Sequence, residues 1–103
     1  MVIAPNGDIG LLFSCTGEGV IFNRLGRIKS KLIVAIPAPS KLQYVENKWV
    51  VVNAEGQGQI LDHSVTSEFS IPIRADEQLL DCTVNNRDLI CLTNLRMLVL
   101  QFE

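Results

Sequence analysis

The sequence predicts an all-β fold, built from antiparallel four-stranded units that recur at about 39 residues. Three observations predict it. Apolar residues come in short runs rich in Val, Ile, Leu and Phe, not at the i, i+3, i+4, i+7 spacing of a helix. Gly, Asn, Asp, Pro and Ser separate these runs, as turns require. The chain also resembles itself. Without gaps, Leu11-Leu12-Phe13 falls on Val50-Val51-Val52, Gly17 on Gly56, Gly19 on Gly58 and Ile21-Phe22-Asn23 on Ile60-Leu61-Asp62. The same step again sets Leu89-Ile90-Cys91 under Val50-Val51-Val52 and Val99-Leu100 under Ile60-Leu61.

Residues 1–103 read as a single all-β unit made of repeat 1 (1–39), repeat 2 (40–78) and an incomplete repeat 3 (79–103). Strands are expected in the first repeat at about 1–5, 9–15, 19–24 and 30–36. In the second they are expected at about 41–45, 48–54, 58–63 and 67–73. The third offers about 79–84, 88–93 and 96–102, without a fourth. Asn6-Gly7 has the signature of a type I′ turn. Thr16-Gly17-Glu18-Gly19 and Glu55-Gly56-Gln57-Gly58 read as hairpin turns. In the third repeat Asn94-Leu95-Arg96 replaces them, and Asn94 is expected to take the left-handed conformation. Ile36-Pro37-Ala38-Pro39 and Ile71-Pro72-Ile73 mark joints or outer strands, because proline donates nothing to a sheet ladder.

Composition narrows the function classes. A chain of 103 residues that is 48% hydrophobic and 19% charged is not disordered. A net charge of −2 and a pI near 5.3 give no global field for nucleic acid or an anionic membrane. No apolar run approaches the roughly 18 residues of a membrane span, so no membrane partner is expected. MVIAPNGDIG has neither a charged leader nor a long apolar stretch and does not read as a signal peptide. Cys15, Cys82 and Cys91 lie in apolar stretches and read as small buried hydrophobes, with a surface thiol or one fortuitous disulfide as the alternative. Three cysteines and one histidine make neither a disulfide framework nor a zinc site, which points to an intracellular, cytoplasmic or nuclear setting.

Four antiparallel strands at a period near 40 residues are the pattern of a propeller blade. IAPNGDIGLLFSCTGEGVIFN resembles the first three strands of a WD40-type blade. Pro5-Asn6-Gly7 matches its first turn, Gly17-Glu18-Gly19 its second, and Phe22-Asn23 its strand end. The chain departs from that family in having no Trp-Asp and no Gly-His dipeptide. The resemblance implies a partial β-propeller and a binding scaffold, with no chemistry. A small β-barrel or β-sandwich is the alternative fold.

Candidate chemistry is sparse. His63 sits beside Asp62, but adjacent strand residues face opposite sides, so the two make a poor dyad. The carboxylates, Asp76-Glu77 included, read as solvated turn charges, and none follows a calcium-loop pattern. The two GxG elements open no helix and so cradle no phosphate. No nucleophile–base pair, metal site or cofactor site is expected, and the chain reads as non-catalytic. Arg24, Arg27, Lys29 and Lys31 form a basic hairpin, and the last three share one face if the stretch is extended. They are candidate contacts for an acidic peptide or a phosphate backbone, or a solubilising face that deters edge pairing. Trp49 is either a surface anchor for a partner or a half-buried structural residue.

So few blades leave apolar faces at both flanks. The expected function is a protein–protein interaction or scaffold module whose open blades a protein partner or a second copy covers. The alternatives are a self-contained β domain that binds a peptide or ligand through loops, and a nucleic-acid contact through the basic hairpin.

Overall fold

The computed structural model describes residues 1–13, 15–61 and 66–101, with the side chain of Thr66 set aside. Eleven strands and no helix occur among the described residues. They form three antiparallel sheets in simple sequence order. The first sheet holds β1 (Val2–Ile3), β2 (Ile9–Phe13), β3 (Glu18–Phe22) and β4 (Ile28–Leu32). The second holds β5 (Pro39–Val45), β6 (Lys48–Asn53), β7 (Gln57–Leu61) and β8 (Thr66–Ser70). The third holds β9 (Leu79–Asn85), β10 (Asp88–Thr93) and β11 (Met97–Gln101).

The second sheet lies between the other two, and the sequence of β6 shows why. Lys-Trp-Val-Val-Val-Asn is apolar on both faces, as a strand covered twice must be. Val51 joins Leu42, Leu61 and Trp49 against Val2, Leu12 and Leu32 of the first sheet. Val50 and Val52 turn the other way and pack with Cys82, Leu89 and Cys91 of the third. Successive sheets approach most closely at β1, β2, β5 and β9.

Buried amides tie the layers together. Gln59, only 1% exposed, accepts from the Ala35 amide at 2.7 Å and donates to the Ile33 carbonyl at 2.9 Å. This fixes the segment after β4 against β7. The side chain of Gln43 on β5 donates to the Cys82 carbonyl of β9 at 2.8 Å. Every described buried side-chain nitrogen and oxygen has a partner, so the layers carry no unmet polar group.

The repeat is real in strand order but slips in register. Leu11 pairs with Val20, whereas Val50 pairs with Ile60 and Leu89 with Leu100. A constant step of 39 would give Val50 with Gln59 and Leu89 with Leu98. The third strands do keep that step, with Val20, Gln59 and Leu98 in equivalent places. The second strands advance by one residue more. Leu11, Val51 and Cys91 are therefore equivalent, as are Gly10, Val50 and Ile90. The gap-free alignment is thus corrected on the second strand, where a shift of one residue moves every side chain to the opposite face.

Several turns also differ from expectation. Gly7 is left-handed at φ 92° while Asn6 is not, so Pro5-Asn6-Gly7 is no type I′ turn. The turn closes instead from the Gly7 amide to the Ala4 carbonyl at 2.9 Å. The two-residue turn with both central φ positive is Glu46-Asn47, at 48° and 63°, where neither residue is glycine. Asn94 is not left-handed. Its turn is held by the Thr93 hydroxyl, which accepts from the Leu95 and Arg96 amides.

Candidate functional site

The two outward sheet faces are the most conspicuous surfaces. Strand alternation divides the first sheet cleanly. Gly10, Leu12 and Leu32 face the second sheet. Ile9, Leu11, Phe13, Val20, Phe22 and Ile28 then face away, in register with one another. Ile3, Phe13 and Ile28 are 65%, 47% and 62% exposed, so none of the described residues covers this face fully. Lys31 and Glu18 are its charged members.

The third sheet repeats the situation at the other end of the stack. Leu89, Cys91, Leu98 and Leu100 face inward. Ile90, Leu92, Met97 and Val99 face outward, again in register. Leu92, Met97 and Val99 are 49%, 65% and 56% exposed. Asp81 and Asp88 lie on the same side, and its described strand positions include no cation.

The basic hairpin is exposed but broken up. The Asn23 side chain accepts from the Leu25 and Arg27 amides and shapes the turn. A register shift opposite Ile21 and Phe22 leaves Lys29 as an extra residue between Ile28 and Ser30. Arg27, Lys29 and Lys31 therefore do not share one continuous face, because the stretch is bulged and not evenly extended. Lys29 is drawn to Asp8 at 2.6 Å, and that bond holds the Asp8 carboxyl below its ordinary range. Arg24 lays its alkyl chain against Gly7, within 3.2 Å of where a Cβ would be.

Trp49 is half-buried. Its ring meets Tyr44 edge-on at 4.8 Å and packs among the residues between the first two sheets. Its surroundings are those of the structural residue in the sequence reading.

One charged cluster lies where solvated turn charges were expected. Glu77 is 3% exposed, and Arg96 grips it through two bonds, Nε to Oε2 at 3.0 Å and Nη2 to Oε1 at 3.1 Å. Thr93 and the Arg74 amide also donate to it. The bonds from Arg96, then Thr93, hold its carboxyl down to about 2 against the opposing effect of burial. Arg96 also reaches the Pro72 carbonyl at 2.7 Å. The Arg96 and Thr93 bonds thus fasten the segment before β9 to the β10–β11 turn. Asn53 stands at the equivalent place in the second sheet and fastens its own turn, donating to the Pro37 carbonyl at 2.8 Å. The sequence signal for Glu77 was Arg96 at the turn, visible only once the two segments are known to be neighbours.

Cysteine placement is split. Cys82 and Cys91 are buried directly across from each other on β9 and β10, and burial pushes the Cys82 thiol up to about 12. Cys15 is exposed, contrary to the expectation of three buried thiols, because it falls in the turn after β2. Asp62 and His63 lie outside the described residues. No group of three or more potential metal ligands occurs among the described residues. A cleft of about 270 Å³ runs between Ile36-Pro37 and the β7–β8 pair, with Glu68 its one titratable lining residue. No helix among the described residues is long and apolar enough to cross a membrane.

The chain matches no protein-family model, and comparisons with curated proteins and with solved structures gave no match.

Proposed function

We propose that this chain is a non-catalytic interaction and scaffold module, a partial β-propeller whose outer blades are covered by another protein surface. One observation carries the reading: both ends of the stack present in-register apolar sheet faces that none of the described residues covers fully. Two further features support the blade assignment. Each sheet is a meander in sequence order, and the sheets approach most closely along their early strands, as blades do around an axis. Among the described residues the buried charge, Glu77, serves a turn and a joint.

The test is a double variant, Leu11→Glu with Val99→Glu, which puts one charge on each flank. The reading expects unchanged circular dichroism and loss of apolar-dye binding or of association. A wild-type chain that is monomeric, binds no apolar dye and unfolds cooperatively would favour the self-contained β domain.

A further inference from the structure

We propose that the occupant of these flanks is a second copy of the chain, joined head to tail, with the outward face of the first sheet of each copy seated on the outward face of the third sheet of the other. This rests on the interaction-module reading and names its partner. The argument is the corrected repeat. Inside the chain, the second sheet meets the first through Trp49, Val51, Gln59 and Leu61. The third sheet meets the second through the equivalent Leu89, Cys91, Leu98 and Leu100.

On the first sheet those same positions are Ile9, Leu11, Val20 and Phe22, and they are the ones that face away. The receiving side repeats as well. Val50, Val52 and Ile60 of the second sheet receive the third. Their equivalents Ile90, Leu92 and Val99 face outward on the third sheet. The two flanks are therefore the two halves of a junction the chain already makes twice within itself.

Charge does not choose between pairings: the first-sheet flank carries both Lys31 and Glu18, and on the third-sheet flank Asp81 is paired with Lys41 at 3.4 Å, which leaves Asp88. The equivalence of positions alone carries the head-to-tail assignment. Two copies bring six sheets of the described residues together, a number within the roughly four to eight blades of a closed propeller. A two-fold ring uses both junctions and leaves no flank open.

The experiment compares wild type, Leu11→Glu, Val99→Glu and an equimolar mixture of the two variants by sedimentation equilibrium. Circular dichroism and Trp49 emission confirm folding. Phe13→Glu and Met97→Glu replace either variant that does not fold. Head-to-tail pairing predicts twice the chain mass for wild type and the single chain mass for each variant alone. It predicts partial return to the doubled mass in the mixture, because one intact face remains on each partner. A variant that stays dimeric alone, or a mixture that stays monomeric, overturns the proposal. So does a wild-type monomer. A monomer whose apolar-dye binding is reduced by either variant overturns self-pairing but keeps the interaction module, whereas a monomer without dye binding overturns both.

Discussion

The indole of Trp49 lies directly over the α-carbon of Gly10, so that a Cβ at Gly10 would sit 2.5 Å from Cζ3 of the ring. The contact joins the first and second sheets through β2 and β6. It explains why a residue without a side chain stands second in β2, where an apolar side chain would otherwise be favoured.

Gly10→Ala is therefore expected to force the ring aside. Overpacking of this kind costs about 1–3 kcal/mol. Trp49 is the chain's only tryptophan, so its emission reports the event directly. The expected outcome is a lower denaturation midpoint with altered Trp49 emission. A variant of unchanged stability and emission would show that the two sheets do not meet there.

Gln59→Leu should loosen the same junction by a different route. It keeps an apolar volume but leaves the Ala35 amide and the Ile33 carbonyl without their side-chain partner. The two hydrogen bonds are part-buried, and losing each costs about 0.5–1.5 kcal/mol. Urea denaturation should show the loss, and amide exchange at Ala35 should accelerate.

Glu77 sets the acid limb of stability. Its carboxyl is held down to about 2 from an ordinary 4.5. The ionised form therefore contributes fully above pH 4.5, and that contribution is lost as the pH falls through this window toward 2. Denaturation midpoints of the wild type should fall across that range. Glu77→Gln should be less stable at neutral pH and fall less steeply across the same interval, where the Asp8–Lys29 pair remains. A parallel pH dependence in both proteins would contradict the assignment.

Thiol reactivity should separate the cysteines. Cys15 is exposed, whereas burial raises Cys82 to about 12 and also raises Cys91. Under native conditions at mildly alkaline pH, one thiol should react quickly with a thiol reagent. The other two should react only on unfolding. Two fast thiols would show that the β9–β10 face is uncovered.

Strand order, sheet count and the exposed flanks were legible in the sequence because they follow from apolar runs and turn residues. The face of each strand was not. A gap-free alignment cannot see that the second strands advance by 40 residues while the third strands advance by 39, and that one residue decides whether Val50 meets the first sheet or the third. Glu77 was misread as solvated because adjacency to Asp76 was visible and adjacency to Arg96, 19 residues on, was not. Lys29 was placed on a common face with Lys31 because nothing in Arg-Ile-Lys-Ser-Lys announces a bulge. The turn at Glu46-Asn47 fell between the strands expected at 41–45 and 48–54, but its positive φ was not legible because neither residue is a glycine.

The most direct measurement is the sedimentation-equilibrium mass of the unmodified chain across a wide concentration range. Head-to-tail closure of the two apolar flanks predicts a particle of twice the 11.4 kDa chain mass, dissociating on dilution. A single species at 11.4 kDa at every concentration would contradict it.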